Sequence, residues 1–361
     1  PPLDMAWLLL ESRETPNHVG ALMIFEIPPE ASITYMRELT AHLRSVQSLT
    51  SPWNLHVAAG ALAKFLPALE SEGQPDLEYH VRRMALPHPG GERELGELVS
   101  RLHANSLDLR RPLWECYVIE GLDDNRFALF LKIHHVLLDG VAGMRIIAQS
   151  LSSGPAVIGS PPWGHISKPP KSKSHGRKPE APEPITRQPP SRPASINGHG
   201  LLFKSIRNLY PLILPRTQRV ANLVSAFAAP HTVLNGRITG HRRVSTQRVA
   251  LVRLKRIADR AKVSVNDVVL AFCGSGLRRL LAEAGELPDK TTTACIPINV
   301  RPDGNISVGT AISFGFADLA TDEADPLERL KRVHASTVAL KKNVSALPRT
   351  TVGAFTMAVM G

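Results

Sequence analysis

Between positions 155 and 193 the chain carries eleven prolines with lysine and serine between them. Residues that fix φ and lack an amide donor, packed this densely, hold neither a helix nor a central strand. The stretch therefore divides the 361 residues into two segments of ordinary domain size. We read a first domain over 1–154, a linker over 155–199 and a second domain over 200–361. The linker is basic: Lys168, Lys171, Lys173, Arg177, Lys178, Arg187 and Arg192 are set against only Glu180 and Glu183, an excess of five within a chain of net charge +11. Without interleaved aromatics or a nucleic-acid motif, that charge suits an anionic membrane surface or plain solvation, and no nucleic-acid partner is expected.

Hydrophobic residues make up 43% of the chain and charged residues 21%, a balance that can bury a core. Cys116, Cys273 and Cys295 each lie in an apolar stretch with no CxxC spacing. They read as buried filler in a reducing, cytoplasmic setting. The first apolar residues follow no basic leader and soon meet Glu11, Arg13 and Glu14, so no signal peptide is expected. Residues 220–235, the least charged long stretch, are interrupted by Pro230 and too short for a bilayer span, so no transmembrane helix is expected.

Hydrophobic periodicity predicts a strand over 18–27 and helices over 32–46 and 91–105, the last with Leu95, Leu98 and Leu102 on one face. A hairpin follows, with strands over 113–119 and 126–134 joined by turn-forming residues 121–125. Its second strand is nearly continuous in apolar residues, as a central strand covered on both faces should be. A helix over 142–151 comes next. The second half reads as strand 244–252, helices 254–262 and 266–284, strands 293–300 and 310–319, and helix 326–342. Strands and helices interleaved in both halves predict mixed α/β layers, α+β in type.

The hairpin's second strand delivers His134-His135-Val136-Leu137-Leu138-Asp139-Gly140. An imidazole with a pKa of about 6.5 can take a proton from an alcohol or thiol and return it to a leaving group. Asp139, four residues on, either contacts the imidazole or ties the turn to a cation elsewhere, and the sequence alone does not choose. A zinc site is the weaker reading: neighbouring strand residues face opposite ways, and further ligands show no recognisable spacing. No metal is expected.

Further elements accompany this motif: Pro112-Leu113-Trp114, Asn266-Asp267-Val268-Val269-Leu270, Ile296 to Arg301 with Pro297, an opening Leu3-Asp4-Met5-Ala6-Trp7 with Pro16-Asn17-His18-Val19-Gly20, and Tyr79-His80-Val81-Arg82-Arg83. Together they resemble the bacterial wax ester synthase/diacylglycerol acyltransferases, within the chloramphenicol acetyltransferase-like superfamily. The resemblance implies two chloramphenicol acetyltransferase-like domains, each a mixed sheet with flanking helices, with an active-site channel between them. It implies a further C-terminal section beyond Gly361, carrying a Ser-Asn-Val-Pro-Gly element. It also implies transfer of a fatty acyl group from acyl-CoA to a long-chain alcohol or diacylglycerol, without an acyl-enzyme and with no bound cofactor, acyl-CoA being the co-substrate.

In this reading His135 is the base and His134 supports its geometry. Asn266 helps at the oxyanion, although Ser264 and Asp267 also form a capping-box pattern that could absorb it. Asp139, Gly140, Arg301, Pro112, Trp114 and Asp267 are structural at the site, with Asp139 paired to Arg301. Peripheral association with the inner membrane or lipid inclusions is the implied location. The alternatives are a condensation-type acyltransferase using carrier-protein thioesters, which shares the histidine motif, and a non-catalytic lipid-binding module.

Overall fold

The computed structural model describes residues 7–60, 67–138, 140–152, 154, 159–164, 222–225, 228–299 and 312–345. Asp139, Arg301 and linker positions 165–199 lie outside them. The first half contains β1 (His18–Glu26), α1 (Tyr35–Arg44), β2 (Leu55–Val57), β3 (Leu69–Ser71), α2 (Leu77–His80), β4 (Val81–Ala85), α3 (Glu92–Ala104), β5 (Trp114–Leu122), β6 (Arg126–His134) and α4 (Gly140–Ser150). Four of these strands form one sheet in the order β1-β6-β5-β4. β6 is antiparallel to both neighbours, and β4 runs parallel to β5.

The hairpin closes as its residues dictate. Asp124 and Asn125 take φ of 53° and 55°, the left-handed region that short polar side chains tolerate. Gly90 (φ 79°) lies so close to the Gly121 carbonyl that a Cβ there would be 1.9 Å from its oxygen.

Period-two alternation explains the apolar run of β6. Phe127, Leu131 and Ile133 enter a core with Leu39 and Leu43 of α1, Ile147 of α4, and Trp53, Trp114 and Trp163. Ala128 and Phe130 enter a second core beneath Leu95, Leu98, Val99 and Leu102 of α3. Trp163, inside the span read as linker, is 2% exposed and stacks on Trp114 with ring centroids 4.6 Å apart. Residues 159–164 therefore complete the N-terminal core.

The second half comprises α5 (Leu251–Ala261), α6 (Val265–Glu283), β7 (Thr293–Asn299), β8 (Ile312–Asp318) and α7 (Pro326–Ser345). β7 and β8 form an antiparallel pair, and Ala258, Val268, Ala271, Ala320, Leu330 and Val333 form the core beside it. Two expectations fail here. No strand forms over 244–252: the segment runs extended across α3, Val244 N–H donates to Ser100 Oγ at 2.8 Å, and α5 already starts at Leu251. Gly96 permits that crossing, since a Cβ there would meet the Val244 carbonyl oxygen at 2.9 Å. Cys116 is buried, but Cys273 and Cys295 are exposed. Cys273 shares the outward stripe of α6 with exposed Val269 and Phe272, and Cys295 lies on the two-stranded ribbon.

α6 starts with the capping box: Ser264 Oγ accepts from Asp267 N–H at 3.2 Å, and Asp267 Oδ2 accepts from Ser264 N–H at 2.9 Å. The same carboxylate accepts from Thr337 Oγ1 at 2.7 Å and His334 Nδ1 at 2.9 Å, so one buried side chain joins α6 to α7. Burial pushes the Asp267 carboxyl up, but the hydrogen bonds from Thr337, His334 and Ser264 outweigh it and hold it at about 2. An unfolded aspartate titrates near 3.9. The unfolded chain thus binds the proton first, and the stability this group contributes is complete above about pH 4 and lost as pH falls through about 2. Asp267→Asn is expected to lower the urea midpoint at pH 7, with the gap to wild type narrowing at pH 3. A gap that stays constant with pH would count against this role.

Candidate active site

The strand that carries the motif is extended by one more rung at its end. His18 of β1 stands opposite His134, and beyond that pair His135 N–H donates to the Asn17 carbonyl at 2.8 Å. His134 is fully buried; its N–H donates to Leu113 O at 2.9 Å, and its Nδ1 accepts from Val136 N–H at 3.1 Å. A ring nitrogen that accepts carries no proton, so the proton of neutral His134 sits on Nε2. That atom lies 3.4 Å from Glu11 Oε2, whose side chain is 10% exposed.

His135 is half-buried and stacks on Trp7, ring centroids 4.1 Å apart and planes 20° from parallel. Asn17 ties these contacts together. Its N–H donates to Glu11 Oε2 at 2.5 Å and its Nδ2 to the Trp7 carbonyl at 2.8 Å. Residues 7–17 thus form a strap over the motif: Trp7 packs on His135, Glu11 faces His134, and Asn17 holds the strap to the strand end. His134, enclosed on every side, has a positioning geometry. His135, by contrast, is half-buried.

Two residues before His134, on the same sheet face, Lys132 is fully buried. Its Nζ donates to Leu102 O at 3.1 Å and Asn105 O at 2.9 Å, at the C-terminal end of α3, and pairs with Glu115 Oε2 at 3.0 Å. A cation there complements the helix dipole. Tyr117 OH donates to the same carboxylate at 2.6 Å, and Arg82 lies 3.5 Å from it. Burial pushes the Glu115 carboxyl up, but the Lys132 charge and hydrogen bonds from Tyr117 and Lys132 bring it below its ordinary value. Burial lowers the Lys132 ammonium, with Glu115 opposing that shift. His18, its Nε2 donating to His103 O at 2.8 Å, is driven down by burial to about 4 and is neutral near pH 7.

The remaining expected residues fall as follows. Trp114 is 0% exposed, donates Nε1–H to Trp53 O at 2.7 Å, and is stacked on His80 and Trp163. Pro112 is buried just ahead of it. Gly140 opens α4 with open space around it. Asn266 is exposed on the first turn of α6, and among the described residues no hydrogen bond joins it to either motif histidine. Asp139 and Arg301, and with them the proposed pair, lie outside the described residues.

An apolar cavity of about 340 Å³ opens between β1, β6, α1 and α4, lined by Phe25, Tyr35, Leu39, Phe127, Leu129 and Ile147 among others. It lies on the sheet face opposite His134, and six residues of strand, roughly 20 Å, separate Leu129 from His135. Among the described residues no cluster of three or more His, Cys, Asp or Glu is arranged for a metal ion, and no helix is long and apolar enough to cross a membrane.

The strap is what the sequence reading missed. Glu11 entered it only as a charge after the apolar start, whereas Trp7 and Asn17 entered only as part of a family likeness. A carboxylate following Leu8-Leu9-Leu10 is a weak signal, because its histidine partner is more than a hundred residues away.

Comparison with known proteins agrees with the expected family and fold. Residues 1–269 match the wax ester synthase/diacylglycerol acyltransferase catalytic domain, and residues 308–361 match the WS/DGAT C-terminal domain. A Mycobacterium tuberculosis protein named for diacylglycerol O-acyltransferase activity is 38% identical over 382 residues, covering 99% of this chain and 76% of its own length. The O-acyltransferase WSD of Acinetobacter baylyi is 36% identical over 341 residues, covering 93% of this chain and 70% of its own. Among solved structures, the wax ester synthase/diacylglycerol acyltransferase of Marinobacter aquaeolei VT8 superposes with a TM-score of 0.70 at 30% identity, over 98% of this chain and 74% of that one. The first condensation domain of the calcium-dependent antibiotic synthetase, at 16% identity and a TM-score of 0.53 over 98% of this chain and 76% of that one, shares the fold. The chain belongs to the wax ester synthase/diacylglycerol acyltransferase family.

Proposed function

We propose that this protein transfers a fatty acyl group from acyl-CoA to the hydroxyl of a long-chain alcohol or of diacylglycerol, with His135 as general base. The supporting observation is the pair of motif histidines at the end of a buried strand, one enclosed and hydrogen-bonded, the other half-buried against Trp7. His135 takes the hydroxyl proton as the oxygen attacks the thioester carbon. The tetrahedral oxyanion then collapses, the carbon–sulfur bond breaks, and the proton returns to the CoA thiolate, leaving the ester and CoA. Asn266 is proposed on the oxyanion side, and an Asp139–Arg301 pair as a tie for the motif loop. Full-length protein supplied with acyl-CoA and an acceptor panel should release CoA only when an alcohol or diacylglycerol is present, with the ester identified by mass. CoA release indifferent to acceptor, or none with any acceptor, would overturn this reading.

Glu11 acts through His134 in this scheme: its carboxylate, 3.4 Å from Nε2, favours the proton on that atom, which leaves Nδ1 to accept from Val136 and holds the loop that carries His135. The loss of a charge this close to a buried imidazole is an effect of about 1–2 kcal/mol. Glu11→Gln is therefore expected to lower kcat about tenfold or more with KM little changed, and Glu11→Asp to retain part of the rate. An equal rise in KM at constant kcat would assign Glu11 to substrate binding instead.

A further inference from the structure

Residues 237–262 carry nine arginines and lysines against a single acid, Asp259. Arg237 pairs with Glu14, and Arg242 donates to the Glu14 carbonyl, so the first part of the segment is fastened to the N-terminal half. The rest is unpaired: Arg248, Arg253, Lys255, Arg256, Arg260 and Lys262 are exposed, and none has an ion-pair partner among the described residues. α5 folds its Leu254, Ala258 and Ala261 onto the core of the second half. Arg253, Arg256 and Arg260, spaced three and four apart, then share the outward face.

Local physics does not favour this arrangement. Arg253 stands in the first turn of α5, where the helix dipole disfavours a cation, and no side chain caps that end. Arg256 and Arg260 are like charges at i and i+4, a spacing that weakens a helix. A partner rich in negative charge would reverse both effects. Beside the stripe, Val249 and Val252 are 41% and 69% exposed, and they lie between Arg248 and Arg253. Single exposed apolar residues are ordinary, but an apolar tip bracketed by arginines at the start of a basic amphipathic helix is the form of an interfacial anchor. The arginine stems can lie along the acyl boundary while the guanidinium groups reach the headgroups.

We propose that α5, led by residues 248–253, is a docking surface for an anionic lipid bilayer. Phosphate groups of a soluble ligand or a nucleic acid would use the cations and leave Val249 and Val252 in water. A bilayer interface uses both. This surface is separate in sequence from the proline-rich linker, and the proposal stands or falls apart from the chemistry assigned to His135.

The test is sedimentation of full-length protein with vesicles of phosphatidylcholine alone and of equimolar phosphatidylcholine and phosphatidylglycerol. Wild type should bind the anionic vesicles, more weakly as salt is raised. Arg253→Gln/Arg256→Gln/Arg260→Gln should reduce partitioning about a hundredfold, each surface cation contributing about fivefold. Val249→Ser/Val252→Ser should reduce the binding that survives high salt. Both variants should keep wild-type circular dichroism and wild-type turnover in detergent micelles. A triple variant that partitions like wild type overturns the proposal. So does a serine variant with unaltered binding beside equal affinity for a DNA duplex, which marks a general polyanion surface. A raised KM for acyl-CoA at unchanged vesicle affinity would give the stripe to the donor's phosphates, and also overturns it.

Discussion

His135→Ala is expected to lose most of its turnover, about 100- to 10,000-fold, while its melting curve stays close to wild type. The rate effect follows from removing the base of the proposed scheme, which His134 cannot replace because it is fully buried with Nδ1 committed to Val136. The small effect on stability follows from exposure and from the backbone. His135 is half-buried, and the N–H that joins it to Asn17 survives the substitution. The stacking on Trp7, a contact of modest energy, is lost. His134→Ala differs in kind. It empties a buried position and removes the acceptor of Val136 N–H, so it should lose stability together with rate. Matched circular dichroism, thermal melts and CoA-release rates for the two variants separate the roles. A folded His135→Ala protein turning over near the wild-type rate would rule out the general-base assignment.

The parts of this fold legible in the sequence are those fixed by neighbouring residues. The hairpin was readable because Asp123-Asp124-Asn125 supply turn chemistry between two β-rich runs. α3 was readable from the spacing of Leu95, Leu98 and Leu102, and α6 from Ser264 with Asp267. The failures share a physical cause. Alternation over 244–252 is as compatible with a segment lying across a helix as with a strand, and the choice was made by Ser100 and Gly96 of α3. The environment of Cys273 depends on which face of α6 turns outward, which apolar neighbours in sequence do not fix. β4 is a short strand in which Arg82 and Arg83 interrupt the apolar pattern, and it follows α2 without a turn. At the site, the two histidines were legible as a motif. The strap was not, because Trp7 and Glu11 meet them only across the whole first half of the chain.

The largest stability effect is expected at Lys132 and Glu115, a pair the sequence gives no reason to join. Lys132→Met leaves the Glu115 carboxylate buried with Tyr117 and a more distant Arg82, and strips the donor from the carbonyls of Leu102 and Asn105 at the end of α3. Removing one partner of a buried ion pair costs about 3–5 kcal/mol, because the remaining charge is uncompensated. Glu115→Leu strands the ammonium in the same way, although the α3 carbonyls still hold it, so its loss should be somewhat smaller. Lys132→Met/Glu115→Leu removes both charges and should cost less than the sum of the single variants. It should not return fully to wild type, since Tyr117 OH and the two helix carbonyls lose their partners. Activity is expected to follow stability here: Lys132 and His134 are alternate residues on one face of β6, and a shift of α3 reaches His134 through His103 and His18. Urea midpoints for the four proteins complete the cycle. Strict additivity would mean that Lys132 and Glu115 contribute independently, Lys132 through α3 and Glu115 through Tyr117 and Arg82, and that the ion pair itself adds little.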